Sequence, residues 1–467
     1  MKRKRFLKLT ALAPISLAMN RLDFLAPQPN KNISRVEFLY PGNEQYRLLN
    51  IGFNKRVKKN PAVIARCFNT EGVAEAIQYA RKNKLAVAVK SGGHCMEGFS
   101  SNNNGLVINL SELNQIKWID QNTIQVGPAC TLKKLYETIL PKKKIIPGGS
   151  CATVGIGGLT LGGGYGLLAR KYGLTCDSLV GISMVDGRGN ILTEKNSNEL
   201  LWAAKGGNNG NFGVITSLTF KLHQAPATMQ SHRFRSFKVD AARAKFILKK
   251  WFDITQALPV NCFSAFVLNK TTLYILLTNA GSHTNEVQKV VTSLSAISDK
   301  TTHSEPAPIE VALKNYYGRQ EPMYFKNASA GLYKSFSSIE SHIESALKIV
   351  TETPGMIYQV NTLGGNIQSA EFAGAAAFPH RDYGYFSELQ TYWERQDQET
   401  LLLKKFQQVQ EVFNAAGMDA QYRNYPDINF KNWQTLYYGK NYERLQQLKK
   451  QYDPENIFRY EQSVRVS

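Results

Sequence analysis

The first half of the chain alternates between two hydrophobic spacings, one typical of helices and one typical of strands. Apolar residues recur with helical periodicity from Val73 to Asn83 and from Leu132 to Leu140, which predicts two amphipathic helices. Short apolar or alternating runs predict strands at Leu85–Lys90, Leu106–Leu110, Thr123–Val126, Leu179–Val185 and Ile191–Thr193. This mixture predicts a first α+β domain, residues 44–222.

The pattern changes character after residue 222, where glycine clusters disappear and the predicted elements become longer. The segments Ala241–Leu258 and Asn285–Ile297 have the spacing of amphipathic helices, and Phe263–Leu268 and Thr272–Thr278 alternate like strands. An antiparallel sheet backed by helices accounts for both patterns. We therefore predict a second domain over residues 223–418, because 467 residues are also too many for one compact core.

The N-terminus has the layout of an export signal. The basic segment Arg3-Lys4-Arg5-Phe6-Leu7-Lys8 precedes an apolar run, and Ser16-Leu17-Ala18 supplies small residues for cleavage. It resembles a twin-arginine signal in which Lys4 replaces the second arginine, and the alternative is a basic, frayed helix. We expect an export signal over residues 1–18, a polar linker over 19–43, and a periplasmic or secreted protein. No other apolar run has transmembrane length, so no span is expected in the mature chain.

The net charge of +21 would suit an anionic partner, or it reflects scattered, solvated lysines. The basic runs at 56–59 and 142–144 lack the interleaved aromatic residues of a nucleic-acid platform, so no nucleic-acid partner is expected.

Six cysteines include no C-x-x-C pair, which argues against a metal site.

Two glycine-rich segments carry the candidate chemistry. The first reads Ser91-Gly92-Gly93-His94, and the second runs from Pro147 to Gly158 and contains Cys151. Glycine allows a close backbone approach to a ligand and exposes N–H groups to phosphate. Neither segment is a Walker loop, since G-K-[ST] is absent, nor a dinucleotide fingerprint following a strand.

These motifs resemble the berberine-bridge-enzyme-like flavin oxidoreductases of the vanillyl-alcohol-oxidase superfamily, in the branch that binds FAD through two covalent bonds. Further matching blocks are Arg170–Asp177, Asn211–Thr216, and the tail Tyr437–Leu445 followed by Tyr452–Phe458. The resemblance implies a two-part, PCMH-type FAD-binding domain, with residues 419–467 returning to it. It implies FAD contacts from Ser91, Gly92, Gly93, His94, Gly148, Gly149, Cys151, Thr153, Val154, Gly157, Gly158, Gly163, Gly164, Tyr165, Gly166, Asp177, Gly213, Val214 and Ile215.

The resemblance further implies that His94 and Cys151 each form a bond to the flavin. A neutral imidazole is a competent nucleophile, and a thiol must ionise first, which local backbone dipoles favour by lowering its pKa. The alternatives are an ordinary loop histidine and a packed core cysteine.

The catalytic assignment comes from the segment Tyr422-Arg423-Asn424-Tyr425-Pro426-Asp427, which matches the family's Y-x-N-Y-x-D motif. The resemblance implies that Tyr425 is the base and that Tyr422 supplies a hydrogen bond; the alternative is a structural pair of tyrosines. Carbohydrate oxidases of the family carry an acid in Q-x-D-x-x-G-G, but this chain has Gln359 and Asn361 there. Both amides would still hold a sugar hydroxyl. The family's oxidative cyclases carry a glutamate shortly after that G-G, to which Glu371 is only a weak match.

We therefore expect an FAD-dependent oxidase that removes a hydride from an alcohol or hemiacetal carbon of a small molecule, in particular a carbohydrate, and reduces O₂ to hydrogen peroxide. Val154 supports oxygen use, since the resemblance implies that a small residue at this position admits O₂. The alternatives are oxidative coupling of a secondary metabolite, an oxygen-avoiding dehydrogenase, or a basic surface-binding protein with a vestigial flavin fold.

Overall fold

Two small sheets form the framework of the N-terminal half. The computed structural model describes residues 34–193 and 198–466, so the predicted export signal lies outside the described residues. The first sheet has the order β1-β2-β4-β3, in which β1 is antiparallel to β2 and the other neighbours are parallel. Its strands are β1 (Val36–Leu39), β2 (Val63–Cys67), β3 (Val87–Lys90) and β4 (Leu106–Asn109).

The strand Val36–Leu39 differs from the sequence prediction, which placed these residues in a polar linker extending to residue 43. Val36 and Phe38 alternate with Glu37 and pack against the core of the first sheet, while Leu39 is buried. Four residues with this alternation are enough to pair with β2, although they are too few to stand out as a strand in the sequence.

The second sheet is antiparallel, with the order β5-β6-β10-β8-β9. Its strands are β5 (Ile116–Asp120), β6 (Thr123–Val126), β8 (Leu179–Asp186), β9 (Ile191–Thr193) and β10 (Gly213–Lys221). A short pair joins β7 (Lys144–Ile145) to β11 (His223–Gln224). The helices in this half are α1 (Glu44–Asn50), α2 (Thr70–Lys82), α3 (Leu132–Ile139), α4 (Ile156–Leu161), α5 (Ala169–Tyr172) and α6 (Asn198–Ala204).

A large antiparallel sheet dominates the rest of the described chain, with the order β15-β12-β14-β13-β18-β19-β17 and β16 paired to β12. Its strands are β12 (Thr228–Ser236), β13 (Cys262–Asn269), β14 (Thr272–Asn279), β15 (Lys300–His303), β16 (Ala307–Pro308), β17 (Tyr324–Tyr333), β18 (Met356–Thr362) and β19 (Tyr385–Trp393). The remaining helices are α7 (Ala241–Thr255), α8 (Asn285–Ala296), α9 (Ile309–Ala312), α10 (Ile343–Glu352), α11 (Glu399–Ala415), α12 (Trp433–Tyr438) and α13 (Tyr442–Tyr452).

The predicted α+β class, with an antiparallel sheet backed by helices, is confirmed. Several boundaries differ by a few residues, and one has a clear local cause: the helix that starts at Ala241 ends at Thr255 and not at Leu258. Leu258 precedes Pro259, and the proline ring disfavours helical geometry at the residue before it. The predicted domain boundaries at residues 222 and 418 stay predictions.

The two faces of the large sheet have opposite chemistry because side chains alternate along each strand. Tyr358 and Val360 of β18 join Leu389 of β19 in a core cluster with helices α7, α10 and α11. The residues between them, Gln359, Asn361 and Glu388, line a cavity on the other face. The sheet therefore supplies both a hydrophobic core and a polar cavity wall.

The C-terminal segment packs against the first half of the chain. Tyr437, Tyr438 and Leu445 lie in the same core cluster as Phe220, and the backbone of Ile457 accepts a hydrogen bond from Val87. No helix within residues 34–193 and 198–466 combines the length and hydrophobicity needed to cross a membrane.

Candidate active site

A cavity of about 1640 Å³ lies between the glycine-rich segments and the polar face of the large sheet. It brings together sixteen of the residues predicted from the sequence, which are far apart along the chain. These are Ser91, Gly92, Gly93, His94, Gly149, Cys151, Val154, Gly157, Gly158, Tyr165, Gly166, Gly213, Ile215, Gln359, Asn361 and Tyr425.

The glycines of this wall are required by close packing. A Cβ at Gly92 would collide with the backbone nitrogen of Gly155, and a Cβ at Gly166 would collide with the carbonyl oxygen of Gly148. Gly158 is different, because nothing lies within 4 Å of the position that a Cβ would take. A side chain there would project into open space in the cavity wall, so the missing side chain leaves room for a bound group.

His94 is held in place by Thr153 and Phe53. Its Nε2 lies 3.0 Å from the hydroxyl oxygen of Thr153, and its ring stacks on Phe53 with 4.1 Å between centroids. A hydrogen bond between the imidazole and the backbone of Thr153 also acts on His94, in the direction that raises its pKa. Burial lowers the pKa of His94 to about 4, which keeps the ring neutral at physiological pH.

Cys151 is exposed to the cavity, as a reacting thiol must be. Its pKa does not follow the sequence-based expectation of a lowered value. The surrounding protein desolvates the thiol and the nearby charge of Glu388 adds to that effect, so the pKa of Cys151 is raised. Local backbone dipoles do not outweigh these two causes, and Cys151 is a neutral thiol at pH 7.

Tyr422 and Tyr425 have different surroundings although they pack edge to face, with 5.3 Å between their ring centroids. The hydroxyl oxygen of Tyr422 accepts hydrogen bonds from the backbone N–H groups of Gly164 (3.1 Å) and Tyr165 (3.2 Å). Tyr422 is buried beside the cavity and holds this glycine-rich turn in place. Tyr425 lines the cavity, and no described protein group makes a hydrogen bond to its hydroxyl.

A row of amides crosses the sheet face opposite the glycine-rich segments. Gln359 Nε2 donates to Asn361 Oδ1 at 2.7 Å, and Gln390 Nε2 donates to Gln359 Oε1 at 3.4 Å. Asn361 Nδ2 donates to Glu388 at 3.3 Å, and Asn327 Nδ2 donates to the other oxygen of Glu388 at 3.1 Å. These contacts fix the amide orientations before any substrate binds.

Seven predicted site residues do not line the cavity: Gly148, Thr153, Gly163, Gly164, Asp177, Val214 and Tyr422. Val214 points into the core because it alternates with Gly213 and Ile215, which do line the cavity. Asp177 forms a buried ion pair with Arg381 (2.6 Å) and accepts a hydrogen bond from the backbone of Leu174. It therefore fixes a neighbouring loop.

Comparison with known proteins identifies the group that this cavity holds. A model of the FAD binding domain matches residues 61–194, and a model described as berberine and berberine like matches residues 421–465. The FAD-linked oxidoreductase YgaK of Bacillus subtilis is 31% identical over 445 residues, covering 90% of this chain and 94% of that protein. The chain belongs to the berberine-bridge-enzyme-like family of FAD-linked oxidoreductases.

Solved structures show the same fold. A chitooligosaccharide oxidase superimposes with a TM-score of 0.83 at 23% identity, and a xylooligosaccharide oxidase from Myceliophthora thermophila, in complex with xylobiose, with 0.81 at 21%. Each comparison covers 92% of this chain and 97% of the other. The family predicted from the motifs is confirmed, and the protein is an FAD-linked oxidoreductase. The glycine-lined wall, open at Gly158, fits this cofactor.

Among the lining residues that sequence reasoning missed are three polar ones on the large sheet: Asn327, Glu388 and Gln390. Their strands, Tyr324–Tyr333 and Tyr385–Trp393, mix polar and apolar residues without a clean alternation, so the sequence carries no clear signal for them. Glu371, which the sequence offered as a weak match to a catalytic glutamate, is exposed and does not line the cavity. Among the residues of the structure, no group of histidine, cysteine and acidic side chains has an arrangement that would hold a metal ion.

Buried charges tie three parts of the chain together next to the cavity. Lys326 of β17 makes ion pairs with Glu97, three residues after His94, and with Asp427 (2.9 Å), two residues after Tyr425. Arg56 also pairs with Glu97, at 2.7 Å. Glu97, Lys326 and Asp427 are nearly inaccessible to solvent. This network fixes the histidine loop relative to the tyrosine loop.

Proposed function

We propose that the protein is an FAD-dependent oxidase acting on an alcohol or hemiacetal carbon of a carbohydrate. The observation that carries the proposal is the row of ordered amides and one carboxyl group facing the glycine-lined wall. A sugar presents several hydroxyl groups at fixed spacing, and such a row offers matching donors and acceptors. The oligosaccharide oxidase activities in the names of the two structural neighbours agree with this substrate class.

The residues of the cavity have separable roles in this proposal. Gln359 and Asn361 hold hydroxyl groups next to the reacting carbon, and Tyr425 faces the reacting hydroxyl. The backbone N–H groups of Gly92, Gly93 and their neighbours hold the FAD phosphates. Bound FAD supplies the redox chemistry, accepting a hydride and passing two electrons to O₂. The protein contributes orientation, exclusion of water and the handling of one proton.

A substrate panel tests this function directly. Purified yellow protein is mixed anaerobically with sugars, sugar oligomers and simple alcohols, and loss of flavin absorbance is followed. In air, the same compounds should release hydrogen peroxide. Bleaching by saccharides and not by simple alcohols supports the proposal. Bleaching by none of them, with turnover of aromatic or alkaloid-like compounds, would favour oxidative coupling instead.

We also propose two covalent bonds to FAD, from His94 and Cys151. His94→Ala and Cys151→Ala should each keep one bond, and the double variant should release all flavin in acid. The neutral imidazole and the accessible thiol both line the cavity, which supports the assignment. Mass spectrometry of proteolytic peptides measures the linkage. Cys95→Ala is the matched control, because Cys95 also lines the cavity, and loss of a bond in that variant would contradict the assignment.

Oxygen use depends, in this proposal, on Val154. Its half-buried side chain lines the cavity three residues after Cys151. Valine has few rotamers and leaves a stable gap, which the longer leucine side chain would fill. Val154→Leu should slow the return of yellow colour after mixing reduced protein with aerated buffer, while anaerobic reduction by substrate stays nearly unchanged. Equal reoxidation rates in the two proteins would remove Val154 from the oxygen path.

A further inference from the structure

A second, smaller cavity of about 480 Å³ lies beside the active-site cavity and has a strongly positive lining. No acidic residue is among the described residues that line it. Its five cations are Arg47 of α1, Lys55, Lys58 and Lys59 of the segment that follows α1, and Lys90 of β3. Gly93 and Cys95 line both cavities, so the loop that carries His94 forms part of the wall between them. We call this second cavity the cationic pocket.

Lys90 differs from the other buried lysines because it has no acidic partner. Three lysines are buried in the described part of the chain: Lys90 (7% exposed), Lys326 (4%) and Lys449 (0%). Lys326 lies 2.9 Å from Asp427, and Lys449 lies 2.6 Å from Asp453. No carboxylate within residues 34–193 and 198–466 forms an ion pair with Lys90. Buried lysines are almost always paired, so an anion in the pocket would supply the missing partner.

The ammonium group of Lys90 keeps one donor for such a ligand. Its Nζ donates to the carbonyl oxygens of Leu49 (2.7 Å) and Ile51 (2.6 Å). An ammonium group has three N–H donors, so one of them is not used by these contacts. Lys90 lines the cationic pocket and does not line the active-site cavity, so this donor is directed to a ligand other than FAD.

The other cations of the pocket are weakly compensated. Arg47 and Lys59 each contact one glutamate, at 3.9 and 3.4 Å, but both glutamates are exposed and lie outside the pocket lining. Exposed ion pairs of this kind are weak. Lys55 and Lys58 are exposed and form no ion pair with a described residue. An anion in the pocket would therefore meet several positive charges that are not neutralised by the protein.

The backbone that carries these cations is fixed by buried amide contacts. Asn54 is only 3% exposed; its Nδ2 donates to the carbonyl oxygen of Met96 at 2.9 Å, and its Oδ1 accepts from the backbone N–H of Arg56 at 3.1 Å. Asn50 Nδ2 donates to the carbonyl oxygen of Lys59 at 2.9 Å. The segment is thus held against the histidine loop, and its cations surround the pocket without the need for a ligand to order the chain.

We propose that the cationic pocket is a second binding site of this protein, for a tetrahedral oxyanion such as phosphate or sulfate, with Lys90 as its central contact. Lysine binds phosphate groups as a compact point charge, and charge-assisted hydrogen bonds of this type are the stronger ones. The oxyanion is a free ion or a charged group on a larger molecule such as a saccharide. The site does not depend on the proposed oxidation, and it gives a role to the basic run at residues 56–59.

The main test is a titration of the FAD-loaded protein with inorganic phosphate at pH 7, in which sodium chloride keeps the ionic strength constant. Phosphate should raise the Tm to a plateau, because a ligand that binds only the folded protein stabilises it in proportion to site occupancy. Lys58→Glu should weaken the apparent affinity for phosphate at least tenfold, with unchanged flavin content. Lys404→Glu is the matched control, since Lys404 is an exposed lysine of α11 outside the pocket, and it should bind normally. A rise without a plateau, or equal affinity in Lys58→Glu, would overturn the proposal.

A pH series tests the role of Lys90 without replacing a buried residue. Burial lowers the pKa of Lys90 to about 8, so at pH 9 only about one tenth of the empty sites would carry its charge. Sulfate keeps its own charge over this range, and its apparent affinity should fall by about tenfold from pH 7 to pH 9. An affinity that stays constant would overturn the assignment of Lys90, because solvated lysines keep their charge to about pH 10.

The pH series needs one control for neighbouring groups. The other titratable side chains around the pocket are Arg47, Lys55, Lys58, Lys59 and Cys95, with Glu44 and Glu461 outside its lining. Thiols as a class ionise in the same pH range, so the series is repeated in Cys95→Ala. The fall in sulfate affinity should persist in this variant. Its disappearance would assign the titration to the thiol and overturn the role of Lys90.

A pair of sugars distinguishes the two sources of the oxyanion. Glucose 6-phosphate that binds at least tenfold more tightly than inorganic phosphate would show that the site reads a charged group on a saccharide. Equal affinity of the two would show that the free ion is sufficient. Neutral glucose should not compete with phosphate at all. Competition by glucose as strong as that by its phosphate would overturn recognition through the oxyanion.

Discussion

Replacement of Lys326 by methionine should lower the free energy of unfolding by about 3–5 kcal/mol, the cost of removing one partner from a buried ion pair. Lys326 is 4% exposed and lies between Glu97 and Asp427. Without its ammonium group, Glu97 still has Arg56, but Asp427 keeps only uncharged donors. Urea unfolding of the FAD-loaded protein, at constant m, measures the change.

A second variant separates the effect of the unpaired carboxylate from the effect of lost side-chain packing. Lys326→Met combined with Asp427→Asn should recover most of the stability, because the second change removes the uncompensated carboxylate. Lys334→Met, at an exposed position just after the same strand, should change stability by only about 0.5 kcal/mol. Equal effects of the two lysine substitutions would mean that the buried charges do not stabilise the fold.

Tyr425→Phe should slow anaerobic flavin reduction by about 10²–10³-fold, the range for removing one hydrogen-bond donor from an oxygen that gains charge during the reaction. No described protein group makes a hydrogen bond to the Tyr425 hydroxyl, so its loss breaks no described contact within the protein. Flavin content and Tm should therefore match the unsubstituted protein. The rate constant at saturating substrate, measured by stopped flow, is the decisive quantity.

Tyr324→Phe is the control for this experiment. Tyr324 also lines the cavity, and its ring stacks on Trp393 with 6.4 Å between centroids. Its hydroxyl makes no described hydrogen bond, so the substitution removes an equivalent group away from the amide row. If the flavin is reduced as fast in Tyr425→Phe as in Tyr324→Phe, the reacting hydroxyl group of the substrate does not lie next to Tyr425.

Hydrophobic periodicity predicted the helices and strands well, because each of them is determined largely by residues that are close together in the sequence. The strands Thr123–Val126 and Ile191–Thr193 have the predicted bounds. The helix α8 ends one residue before the predicted Ile297. The motif residues His94 and Cys151 also face the cavity as the family resemblance implies. Local spacing and loop composition carry this information, and both can be read without knowing the tertiary structure.

The polar face of the large sheet could not be predicted in this way because it depends on strand register. Asn327 and Glu388 are 61 residues apart, and they meet only because β17 pairs with β19 in one register. A shift of one residue would turn Glu388 into the hydrophobic core. Likewise, nothing near Asn361 in the sequence indicates that a carboxyl group from a neighbouring strand lies beside it.

Side chains alternate along the strands of the large sheet, so the residues that line the cavity are different from the residues that form the hydrophobic core. Positions 327, 359, 361, 388 and 390 face the cavity, whereas their neighbours Ala328, Val360 and Leu389 face the core. Mutations at the first set therefore reach the substrate without leaving holes in the hydrophobic interior. New specificities can accumulate on this scaffold one exchange at a time, and a combinatorial library restricted to such positions would retain mostly folded members.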